Sequence, residues 1–121
     1  MTLELLPRSF AVCQLPLETT AVCDAPFTFF ARTDTEASLV CESEKIPREA
    51  LRVELDWRCL RVQGTLDFSL VGILSNIAGC LAEAGVAIFA VSTYDTDYIL
   101  IKDEQLDRAL SALADKDFRL S

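Results

Sequence analysis

Asp67 to Lys102, DFSLVGILSNIAGCLAEAGVAIFAVSTYDTDYILIK, decides the fold of this chain. Leu70, Ile73, Leu74, Ile77, Leu81 and Ala84 recur at i, i+3 and i+4, which places them on one stripe of a helix. Asp67 or Ser69 is expected to cap its start, and Gly85 stands where a left-handed residue would close its end. The runs IFAVSTY and DYILI that follow are rich in β-branched and aromatic residues and are parted by the polar pair Asp95 and Thr96. The stretch therefore reads as a helix followed by a hairpin.

Working outward, Trp57 to Gln63 supplies a strand before the helix. Leu106, Ala109, Leu110 and Leu113 supply the stripe of a second helix after the hairpin, starting at Asp103 or Glu104 and ending near Ala114. Asp103 and Glu104 suit its positive N-terminal end. Phe118 to Leu120 can add a short last strand. The order is βαββα(β), a split βαβ arrangement with the helices on one sheet face.

Upstream, Phe10 to Leu15 is a strand held short by Pro7 and Pro16. Phe27 to Arg32 and Ala37 to Glu42 form a second hairpin across the polar residues 33 to 36. Leu17 to Ala25 has room for two helical turns, Glu44 to Leu51 for a short helix, and Val53 to Gln63 returns to strand. An echo joins the halves: Thr33 to Val40 lies on Tyr94 to Ile101 at an offset of 61, with Asp34-Thr35 over Asp95-Thr96. This points to a duplication whose first copy has lost its long helix.

Composition narrows the function. In 121 residues, 51% hydrophobic and 25% charged, there is material for one core or two small fused ones. Eleven basic against nineteen acidic residues give a charge of −8, with no Lys/Arg cluster to meet a run of phosphates. Nucleic acid and membrane are therefore not expected as partners. The absence of histidine removes the commonest general base and metal ligand. No catalytic residue, metal site or cofactor is expected, and no apolar run is long enough to span a bilayer. The N-terminal MTLELLPRSF is not basic as a secretory signal would be, so a cytoplasmic location is expected. The five cysteines contain no CxxC pair and read as small buried apolar groups.

The run from Trp57 to Leu113, above all DFSLVGILSNIA and STYDTDYILI, resembles the second module of small tandem ACT-domain proteins. That family is similar to the regulatory halves of aspartate kinases and to the animal arginine sensors called CASTOR proteins. FAVCQLP and TDTEASLVC resemble its first, degenerate module. The resemblance implies an α/β (α+β) ferredoxin-like ACT fold of two fused βαββαβ-type modules, the degenerate one at 1–56 and the complete one at 57–121. It also implies non-catalytic sensing of a small molecule, an amino acid, at an ACT-ACT interface. A homodimer and a further protein partner are expected with it. The alternative is a structural or protein-interaction module that has lost its ligand.

The physical site sits beside that resemblance. Ser69, Leu70, Val71, Gly72 and Ile73 open the helix, so its free N–H groups suit a ligand carboxylate, and Gly72 lets that carboxylate approach. Asp95, Thr96 and Asp97 lie at the hairpin turn, where an ammonium group needs a counter-charge. Two blander roles stay open: Gly72 as a close helix-to-sheet contact, and the Asp and Thr residues as ordinary turn formers.

Overall fold

The computed structural model describes residues 2–20, 22, 24–63 and 72–121. Its elements, in chain order, are β1 (Thr2–Leu5), β2 (Phe10–Leu15), β3 (Phe29–Arg32), β4 (Ala37–Glu42) and β5 (Arg52–Val62). There follow α1 (Ile73–Glu83), β6 (Phe89–Ser92), β7 (Asp97–Lys102), α2 (Leu106–Asp115) and β8 (Arg119–Leu120). Single 3-10 turns follow β4 and precede α2. The chain divides into two compact units, one of Met1–Pro7 with Arg58–Ser121, the other of Arg8–Trp57. This division differs from a cut after residue 56, because the first strand packs with the C-terminal unit.

In that unit β6 pairs with β7 and β7 with β5; β1 then runs antiparallel to β5, with Leu3 opposite Val62 and Leu5 opposite Leu60, and β8 lies parallel to β1. Both helices cover one face. Ile77, Cys80 and Leu81 of α1 and Ala109 and Leu113 of α2 close over Leu3, Leu60, Val62, Ile99 and Ile101. The described residues of both stripes read from the sequence are therefore the ones that pack into the core, and Leu70 lies outside the described residues. β1, which the sequence reading did not mark, escaped notice because TLEL has only two apolar side chains and a short strand carries little periodic signal.

The helix ends show how local sequence sets the boundaries. After α1, Gly85 takes φ +75°; its N–H donates to the Ala82 carbonyl at 3.0 Å, and that of Val86 to Leu81 at 2.9 Å. This is a complete Schellman motif, with Val86 and Leu81 both in the core. α2 ends the same way without glycine. Asp117 takes φ +67° and donates to Ala114 at 3.1 Å, while Phe118 donates to Leu113 at 3.1 Å. At its start, α1 begins at Ile73 rather than Leu70, because Gly72 stands before it in the left-handed region at φ +86°. The expected caps, Asp67 and Ser69, lie outside the described residues.

In the other unit the strand order is β3, β4, β2 and residues 52–57 of β5, all antiparallel. Neither segment given room for helix forms one in the described residues: Leu17 to Ala25 is turn and irregular chain, and after the 3-10 turn at Ser43–Lys45 residues 46–51 stay irregular. Arg32 holds the first segment by donating to the carbonyls of Leu17 and Thr19. The sheet face here consists of Ala11, Cys13, Leu15, Ala37, Leu39 and Cys41, with Val22, Ile46 and Ala50 laid over it.

The two hairpins are equivalent, but at an offset of 60 rather than 61. Phe29 pairs with Val40 as Phe89 does with Leu100, and Arg32 with Ala37 as Ser92 does with Asp97. Matching the two Asp-Thr pairs misled the alignment, since the turns are built on Thr33 and Thr93. Thr33 N–H donates to Glu36 C=O at 2.8 Å, and Thr93 N–H to Thr96 C=O at 2.9 Å. A shift of one residue would turn every strand side chain to the wrong face. With the offset at 60, the buried residues Leu39, Val40 and Cys41 fall on Ile99, Leu100 and Ile101.

The two Schellman ends yield a paired expectation. Asp117→Gly relieves a left-handed residue and should stabilise the protein by about 0.5 to 1 kcal/mol, whereas Gly85→Ala should cost about 1 to 2 kcal/mol. Urea unfolding followed by circular dichroism measures both.

Candidate functional site

The end of β5, the facing part of β1 and the β6–β7 turn enclose an open groove of about 450 Å³, lined by Glu4, Arg61, Val62, Gln63, Asp95, Thr96 and Tyr98. Arg61 and Glu4 are directly opposite on β5 and β1. The guanidinium donates to one Glu4 carboxylate oxygen twice, from Nε at 3.2 Å and from a terminal nitrogen at 2.8 Å. Tyr98 is its other partner, and the two together raise the Arg61 pKa, Glu4 contributing more. The pair is about one-third exposed on each side, which limits its Coulomb energy to that of a surface bridge.

Thr96 has a structural duty. It is 7% exposed, and its hydroxyl donates to the Val62 carbonyl at 2.8 Å. That bond fastens the hairpin turn to the end of β5, which brings Asp95 to the groove. Asp97 takes a different part: its carboxylate accepts from the Ser92 hydroxyl at 2.6 Å, across the hairpin. Of the three turn residues proposed from sequence, Asp95 and Thr96 line the groove and Asp97 is not among its lining residues.

At the start of α1, the first intrahelical bond runs from the Asn76 N–H to the Gly72 carbonyl at 2.7 Å. Ile73, Leu74 and Ser75 therefore present N–H groups without a partner inside the helix, and the residue before them, Gly72, has no side chain to cap them. Ser69, Leu70 and Val71 lie outside the described residues. A Cβ on Gly72 would meet, among described atoms, only the Asn76 side chain at 3.9 Å, so space does not demand glycine. Its positive φ does.

The thiols do not enter the site. Cys13, Cys41, Cys59 and Cys80 are all buried. Burial pushes Cys59 up to about 12 against the opposing charge of Arg61, and burial also raises Cys80. Cys80 donates to the Ala112 carbonyl at 3.3 Å. Such thiols carry little thiolate and little reactivity. Among the described residues no group of His, Cys, Asp and Glu is placed to hold a metal ion, and no helix is long and apolar enough to cross a membrane.

A family model described as ACT domain matches residues 52–115, which takes in β5, both helices and the groove's hairpin. The chain belongs to the ACT-domain family. Two curated relatives are named cytosolic arginine sensor for mTORC1 subunit 1. The rat protein is 31% identical over 106 residues, covering 76% of this chain and 32% of its own length; the human protein is 32% identical over 95 residues, covering 71% and 29%. The chain thus spans about a third of the curated relatives it matches. Among solved structures, an Agrobacterium tumefaciens protein is 30% identical with a TM-score of 0.90, over 99% of this chain and 91% of its own. The aspartate kinase of Clostridium acetobutylicum, at 14% identity and TM-score 0.65 over 89% of this chain and 33% of the enzyme, shares the fold. The chain's α+β architecture is the ferredoxin-like ACT fold.

Sequence reasoning missed Glu4, Arg61 and Gln63. Arg61 lies in a strand given no functional role in the sequence, and Glu4 lies in the strand that was not recognised. The clamp sets a clear expectation. Thr96→Val leaves the Val62 carbonyl without its donor and should cost about 1 to 3 kcal/mol, while Thr96→Ser should recover most of it, read as thermal unfolding midpoints. Gly72→Ala should cost about 1 to 2 kcal/mol through its φ, read as thermal unfolding midpoints.

Proposed function

We propose that this ACT protein is a non-catalytic regulator that binds a free amino acid at the groove where β5 meets the β6–β7 turn. One observation carries the reading: that groove, whose lining lies within the matched residues apart from Glu4, presents a guanidinium, two carboxylates, an amide and a phenol at Arg61, Glu4, Asp95, Gln63 and Tyr98. Groups of both signs suit a zwitterion. The ammonium is assigned to Asp95, which Thr96 holds at the rim. The sequence reading gives the carboxylate to the N–H groups that follow Gly72 at the start of α1; these are not among the groove's lining residues, so within the groove the carboxylate is assigned to Arg61.

The relatives' name, an arginine sensor, supports an amino acid as the ligand class. In this reading the signal passes through assembly of a cytoplasmic homodimer or through a protein partner. A second reading has its own support. Thr96 is committed to Val62 and Asp97 to Ser92, as turn architecture alone would require, and this suits an interaction module without ligand.

A thermal-shift screen over the twenty amino acids separates the two. A ligand at 100 times its dissociation constant adds about 2.7 kcal/mol of stability, whereas a ligand-free module shows no selective shift. With the responding amino acid in titration calorimetry, Asp95→Asn should lose a charge-assisted hydrogen bond, about ten- to a hundredfold in affinity. Unchanged affinity would remove Asp95 from the site.

A further inference from the structure

Arg61 is given to the ligand's carboxylate in the reading above, yet it already holds one. Glu4 stands directly opposite it across β1 and β5. Its neighbours Leu3 and Leu5 pack into the core, so alternation puts Glu4 on the other side of the sheet, with the groove. Nε and a terminal nitrogen of Arg61 both donate to Oε1 of Glu4, at 3.2 and 2.8 Å. Tyr98 meets the guanidinium as well. Glu4 therefore brings to Arg61 the same chemical group that a free amino acid would bring.

The contact is built so that it can be exchanged. A guanidinium fork grips a carboxylate best through two parallel bonds to its two oxygens, whereas here both donors converge on one. The pair is also within reach of solvent, each side chain being 32% exposed at the groove. Glu4 can moreover leave by itself. The backbone fastens β1: Gln63 N–H donates to the Thr2 carbonyl at 3.0 Å, Leu6 N–H to Cys59 at 2.9 Å and Ser121 N–H to Leu3 at 2.9 Å, with Leu3 only 1% exposed. Rotation of the Glu4 side chain thus frees the fork while the strand stays in place. An incoming carboxylate that meets the fork with both oxygens makes the better pair, and Arg61 keeps a counter-charge in both arrangements.

We propose that Glu4 is a built-in competitor for the amino-acid site: its carboxylate holds Arg61 in the ligand-free protein and is displaced by the carboxylate of the amino acid that binds. The proposal rests on the ligand reading above and adds its regulation. Glu4 then sets the concentration at which the protein responds, since a contact closed about nine-tenths of the time weakens apparent affinity about tenfold. It also filters what enters, because a compound without a carboxylate has nothing to exchange for it.

The test takes the full chain, as wild type, Glu4→Gln, Glu4→Ala and Arg61→Met, through melting curves with each of the twenty free amino acids. Titration calorimetry follows with the amino acid that stabilises the protein most. Both Glu4 variants should bind it about three- to tenfold more tightly than wild type, and Arg61→Met should lose about tenfold or more. Without amino acid the Glu4 variants should melt below wild type; at saturation the melting points should converge, because Glu4 no longer touches Arg61 in the complex. A purely structural ion pair would keep that gap at saturation. Glu4 variants that bind no more tightly, or a gap that persists, would overturn the competitor, and loss of binding in Arg61→Met would leave the ligand reading standing. Full affinity in Arg61→Met would remove Arg61 as the carboxylate's partner, and the competitor with it. A panel that shifts neither wild type nor the Glu4 variants selectively would overturn the ligand reading itself.

Discussion

An apolar sheet face has to be taken out of water, and the two units differ in what they lay over it. The C-terminal unit has two amphipathic helices, so its strands can carry the bulky residues Leu3, Leu60, Val62, Ile99 and Ile101. The other unit has irregular chain instead, and its face is built largely from Ala11, Cys13, Ala37 and Cys41. Small side chains lower the height that a loop must cover, and they reduce the area at stake. Cys13 and Cys41 sit on these strands as compact hydrophobes for the same reason. The short cover has a cost, which is the exposed row of Leu51, Val53 and Leu55.

Much of this was legible because period and punctuation carry it. β2, β4 and β7 match their sequence ranges, and the helix stripes match the buried residues, since each is a strong pattern bounded by turn formers. What was hidden needed long-range partners. β1 becomes a strand by pairing with β5 more than fifty residues away. Asp117 acts as a helix terminator through geometry, where sequence offers the eye only glycine or asparagine. The hairpin offset was misjudged because identical Asp-Thr pairs look more alike than the threonine hydroxyls that shape the turns. Hydrogen-bond roles, rather than residue identity, are what repeats.

The site was half visible. Asp95 could be found because an acidic residue beside a hairpin turn has an obvious electrostatic use. The Thr96 hydroxyl works inward, on the Val62 carbonyl, and thereby positions its neighbour, a partner that local reading does not show. Arg61 and Glu4 could not be found by local reading, because only the sheet register makes them one group.

The placement of β1 bears on synthesis. Residues 2–5 leave the ribosome before their β5 partners at residues 60–62, which come out only after the whole 8–57 unit, and β8 comes later still. The opening strand must wait, unpaired and carrying Leu3 and Leu5, while an entire compact unit forms downstream of it. Closure of the C-terminal unit is therefore a late, long-loop event, of the kind that slows folding and leaves a strand edge open to the wrong neighbour. For the nascent chain, the interval between Leu5 and Val62 is the period of greatest exposure to aggregation.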